Sequence, residues 1–121
     1  MITFSVDNLS EMNDRLKTFL NFLRQSDVGE DDIFDSRLVS CELITNVLLH
    51  CGERADFSGN ISGGNIVIKV SSPNTKNTYL PCDMPDVFAE RGRGLYIVKT
   101  ISDGNVFFRD GEVEVNIKIK G

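Results

Sequence analysis

The sequence predicts an α/β fold: a mixed, mostly antiparallel sheet with helices on one face, forming a two-layer α/β sandwich. Three observations lead there. Hairpin signals sit at Gly63-Gly64-Asn65 and at Asp110-Gly111 between strand-like runs, and tight hairpins make antiparallel pairs. Three other segments carry apolar residues at helical spacing. The order is strand, helix, helix, strand, strand, long loop, helix, strand, strand, which layers most simply as helices laid on a sheet.

Each element has its own justification. Ile2, Phe4 and Val6 alternate, so the first strand is half-buried. Asn8 or Ser10 caps the first helix; Ser10 has no acid three residues on, so it makes no capping box. Met12, Leu16, Phe19, Leu20 and Leu23 recur at helical spacing to about Gln25, a helix with one buried face and no assigned chemistry. Ser26 to Gly29 breaks it. Glu30-Asp31-Asp32 opens a second helix with acids suited to the positive end of its dipole. That helix runs to about Cys51, where Gly52 ends it.

Phe57 and Ile61 allow a strand between Ala55 and Ser62, and Ile66, Val67, Ile68 and Val70 form a strong one. Ser71 to Glu90 follows neither period and holds all three prolines, Pro73, Pro81 and Pro85. A loop this long in a small domain is functional or mobile. Arg91-Gly92-Arg93-Gly94 feeds a helix carrying Leu95, Ile97, Val98 and Ile101, and Asp103-Gly104 stops it. Val106 to Phe108 and then Val113, Val115, Ile117 and Ile119 make a C-terminal hairpin with one buried face.

Composition bounds the function. At 121 residues, 40% apolar and 26% charged, the chain is read as a single domain, 1–121, with its own core. A net charge of -5 with scattered basic residues argues against a nucleic-acid partner. No apolar run is long enough to cross a membrane, and Met1 to Asp7 lacks the basic and apolar regions of a signal peptide. Cys41, Cys51 and Cys82 show no CxxC spacing. Cys41 and Cys51, about 15 Å apart along one helix, cannot bridge. An odd count without a framework points to a reducing compartment, and we expect a cytoplasmic protein.

Two stretches carry candidate chemistry. In Glu42-Leu-Ile-Thr-Asn46 the wheel places Glu42, Thr45 and Asn46 on one polar face of an otherwise apolar helix, with Asp31 and Asp35 extending it. Such a narrow stripe suits a helix that lines a cleft; the plain alternative is an amphipathic helix with a partly exposed acid. An amide oxygen is a suitable Mg²⁺ ligand, and a carboxylate one turn away can take a proton from a nucleophile. The second stretch is the glycine-rich turn. Its free N–H groups and helix dipole make an anion site, Gly92 and Gly94 permit close approach of a phosphate, and Arg91 or Arg93 adds charge. A lone GxG is equally a tight loop-to-helix junction. His50, the only histidine, reads as a helix C-terminal residue favoured by the dipole.

With these residues in view, the chain resembles the Bergerat-fold (GHKL) ATPases, in the style of bacterial anti-sigma-factor serine kinases. Glu42-Leu-Ile-Thr-Asn46 with His50 and Gly52 looks like the family's N-box. The segment from Gly92 through Gly94, Leu95 and on to Asp103 resembles its second glycine box and the helix after it. Ser72-Pro73 matches a Ser-Pro that follows the central strand in many relatives. The element order matches too, so the resemblance covers nearly the whole chain. It implies ATP and Mg²⁺ as cofactors, with Asn46 on the metal and Glu42 as general base toward a serine hydroxyl or a water. Gly92, Gly94 and the helix start at Leu95 would hold phosphates, with Arg91 and Arg93 beside them. Residues 74 to 90 would be the ATP lid. The implied partner is an anti-sigma-factor antagonist-like protein or a sigma factor, and relatives often form homodimers.

One departure stands out. The family's first glycine box opens with an aspartate that accepts a hydrogen bond from the adenine amino group. Here Val70 takes that place, and Ser72 and Asn74 stand where the box has glycines. Losing a charged acceptor costs about 1.5–3 kcal/mol, roughly tenfold to over a hundredfold in affinity. Ser71 or Asp83 is the alternative acceptor. Weak ATP binding, altered base preference and loss of nucleotide binding are the three consequences open at this point. The competing function is a non-catalytic interaction module on the same scaffold.

Overall fold

Alternating apolar residues generate the sheet and their shared face generates the core. The computed structural model describes residues 1–51, 54–72, 93–109 and 111–120. The described elements are β1 (Ile2–Val6), α1 (Leu9–Gln25), α2 (Glu30–Asn46), a π-helical turn (Val47–Cys51), β2 (Ala55–Ser62), β3 (Asn65–Ser71), α3 (Arg93–Ser102), β4 (Val106–Arg109) and β5 (Glu112–Lys118). This is a mixed α/β chain with a five-stranded sheet in the order β1-β2-β3-β5-β4. Every described pairing is antiparallel.

The register aligns the apolar residues into rows that cross the sheet. Phe4 lies opposite Phe57, Phe57 opposite Val70, Val70 opposite Val113, and Val113 opposite Phe108. A second row runs from Ile2 through Gly59, Ile68 and Val115 to Val106. This face shares one core with Leu16, Phe19 and Leu23 of α1, Ile33, Val39, Leu43 and Ile44 of α2, and Val98 of α3. Each such side chain contributes about 1.5–3 kcal/mol by leaving water. The opposite face carries Thr3, Ser5, Asp56, Ser58, Lys69 and Glu114, and is polar as the alternation requires.

Local signals explain the connections. Gly63 and Gly64 have φ of 57° and 80° between the paired Ser62 and Asn65, the two-residue hairpin that favours glycine. Asn8, not Ser10, caps α1: its side chain accepts the Glu11 N–H at 3.2 Å. The Glu11 carboxylate in turn accepts the Asp7 N–H at 3.0 Å, one residue before the cap, which fixes the chain's entry without completing a capping box. Helix α1 ends with Asp27 at φ 63°. The Asp27 N–H reaches Arg24 O and the Val28 N–H reaches Leu23 O, both at 3.1 Å, the Schellman pattern.

Two features depart from the sequence reading. The second helix keeps α geometry only to Asn46 and then widens into the π turn Val47–Cys51. A single wide turn leaves no trace in a 3.6-residue period. Asp32, read as a dipole residue, is buried, and one carboxylate oxygen accepts the Lys120 N–H at 2.9 Å. It ties the segment after β5 to the first turn of α2. No helix among the described residues is long and apolar enough to cross a membrane.

Candidate functional site

Asn46 is the last α-helical residue of α2 and is 0% exposed. Neither its Oδ1 nor its Nδ2 has a hydrogen-bond partner among the described residues. A buried amide left unpaired costs roughly 1–3 kcal/mol, and such groups are rare in folded chains unless water, an ion or a ligand completes them. Apolar neighbours along the helix enforce the inward position, since Leu43, Ile44 and Val47 are also 0% exposed.

Glu42 stands one turn earlier, about 6 Å along the axis. It is half-buried, with one carboxylate oxygen shielded from solvent. Cys41 beside it is a free, half-buried thiol whose pKa is raised. Burial is the main cause; Arg37 pulls the other way and the Glu42 charge adds to the rise. The end of α2 is therefore a partly dry environment in which a carboxylate and an amide lie on adjacent turns.

Thr45, on the same face, meets the first helix. Its hydroxyl approaches the Met12 sulfur at 3.8 Å, so it faces α1. On the wheel Thr45 lies about 100° from Asn46, with Glu42 between them.

The elements that carry the other predicted residues meet α2. It packs against both β3 and α3. Ser72, directly after β3, is 0% exposed. Helix α3 spans Arg93–Ser102, so Arg93 and Gly94, read from the sequence as part of the turn before the helix, are already helical. Gly52, Asn74, Arg91 and Gly92, with the 74–90 lid and Asp83, lie outside the described residues.

Val70 is 0% exposed and sits between Phe57 and Val113 on the core face. Ser71 points to the other face. There it lines a groove of about 340 Å³ with Thr3, Ser5, Asp56, Lys69 and Glu112. Alternation thus removes Ser71 as a stand-in for an aspartate at position 70. That groove is separated from Asn46 by the sheet itself.

Among the described residues no group of three or more His, Cys, Asp and Glu gathers as around a metal ion. A Mg²⁺ site that leans on substrate phosphates and water needs only one or two protein oxygens, and the Oδ1 of Asn46 fits that donor set. No protein-family model matches the chain, and no curated protein matches it significantly.

Proposed function

We propose that this chain is a Bergerat-type (GHKL) domain that binds Mg-ATP and acts as a serine/threonine protein kinase of the anti-sigma-factor kind. Its partner would be an anti-sigma-factor antagonist-like protein or a sigma factor. The finer architecture assigned with this reading is a two-layer α/β sandwich. The observation that carries the proposal is Asn46: a buried amide with both polar atoms unpaired among the described residues, one turn beyond a half-buried Glu42.

In this reading Asn46 would hold the metal through Oδ1. Magnesium, when bound, neutralises phosphate charge. Glu42 would accept the proton of a serine or threonine hydroxyl as that oxygen bonds to the γ-phosphorus of ATP and the bond to the departing ADP breaks. Its half-buried position keeps the carboxylate close to a dry site. The first turn of α3, at Arg93, Gly94 and Leu95, offers backbone N–H groups toward phosphate. A second reading, a non-catalytic interaction module on a degenerate scaffold, is favoured by Val70.

The test is phosphoryl transfer from γ-labelled ATP to a candidate antagonist protein, with Mg²⁺. Glu42→Gln should lower transfer about 10²- to 10⁴-fold, the range for loss of a general base, and leave partner binding intact. A wild-type chain that binds the partner but transfers nothing supports the interaction module instead.

A further inference from the structure

We propose that the outer edge of β1 is a self-association surface, on which a second copy of this chain adds its own β1 as an antiparallel strand. The proposal is independent of the nucleotide reading. In the order β1-β2-β3-β5-β4, the two edges are β1 and β4. An edge strand shows N–H and C=O groups along its outer side, and folded chains blunt such edges with charge, proline or short length. β4 is blunted: it has four residues and ends in Arg109. β1 is not. Ile2-Thr3-Phe4-Ser5-Val6 has no charge, proline or glycine, and its β-branched and aromatic residues favour an extended backbone. Among the described residues, β1 pairs only with β2.

What β1 presents selects the occupant. Thr3 and Ser5 are exposed on the polar face, and Ile2 and Phe4 are only partly covered on the other. Two β1 strands paired antiparallel about a two-fold axis at Phe4 set Phe4 against Phe4, Ile2 against Val6 and Thr3 against Ser5. Apolar residues then meet apolar ones, hydroxyls meet hydroxyls, and no like charges oppose each other within the paired strands, as cross-strand pairing favours. The apolar row from Phe4 through Phe57, Val70 and Val113 to Phe108 runs on into the same row of the second copy. Such a contact uses the same patch on both copies, so it closes at two and joins two five-stranded sheets into one. A strand from another protein has to match this alternation; a second copy already carries it.

The experiment is sedimentation velocity of the full chain over a range of concentrations, with two double variants that differ at one position. Thr3→Lys/Ser5→Lys opposes lysine to lysine across the two-fold axis. Thr3→Glu/Ser5→Lys opposes glutamate to lysine. Both positions are exposed, and Ser5 lies opposite Asp56 on β2, a neighbour that suits lysine. Both variants therefore keep the fold, which far-ultraviolet circular dichroism checks. The expected result is a wild-type chain that reaches twice its monomer mass as concentration rises, a double-lysine variant that stays at monomer mass, and a glutamate-lysine variant that doubles again. A wild-type chain that stays monomeric at every concentration overturns the proposal and leaves the edge to a strand of another protein. A dimer that survives the double-lysine change, or one lost in both variants, also overturns it.

Discussion

Asn46 is a costly residue in this fold. Its amide is removed from water and has no hydrogen-bond partner among the described residues. Leucine has similar volume and no polar atom to satisfy. Asn46→Leu should therefore stabilise the chain by about 1 kcal/mol and abolish magnesium-dependent nucleotide binding; thermal unfolding beside a binding titration checks both. A purely structural asparagine would give the opposite, a lower melting temperature with binding untouched. Cys41 offers an independent probe of the same helix. Its raised pKa comes mainly from burial, so the folded state favours the protonated thiol. Stability from this group is therefore present below the unfolded pKa and is lost as pH rises through the folded one. Mass-spectrometric alkylation at mildly alkaline pH should find Cys41 slower than an unfolded cysteine, and unfolding should remove the protection. At this scale the sequence reveals Glu42 and Asn46 through their four-residue spacing. It does not show that Thr45 meets Met12, because a wheel does not say which flank of α2 the first helix covers.

At the scale of elements, α1 is seated on the sheet by one close approach. The Phe19 ring fills the space that a side chain at Gly59 would need. It also meets Phe57 edge-on, with ring centroids 5.1 Å apart, while Phe57 stacks on Phe4 at 4.5 Å. Gly59→Ala would drive a methyl group into a ring that is 0% exposed, and overpacking of this kind costs about 1–3 kcal/mol. Chemical denaturation should show a lower midpoint with an unchanged slope; a neutral result would mean that α1 sits further from the sheet than described. Gly59 gives no warning in the sequence, where it interrupts an already weak strand pattern. The hairpins are legible because Gly63, Gly64 and Gly111 supply the positive φ that their turns require. The insertion of β5 between β3 and β4 is not, since order within a sheet depends on pairings far apart in the chain. The π turn after Asn46 is equally hidden, although single wide turns cluster at functional sites.

At the scale of the molecule, β3 is where fold and proposed function meet. Its even-numbered residues feed the core and its odd-numbered ones the polar face, so Val70 and Ser71 are assigned opposite roles by parity alone. That parity is readable from the alternation of Ile66, Ile68 and Val70. Which face the helices cover is not, and only that fact puts Val70 on the helix-covered side. The central claim is that the Asn46 amide receives a magnesium-bound nucleotide. The most direct test is calorimetric titration of the wild-type chain with ATP, in the presence and absence of Mg²⁺. Saturable binding that requires magnesium is the expected result. A folded chain that gives no heat with Mg-ATP, even at nucleotide concentrations far above those of the protein, would contradict the claim.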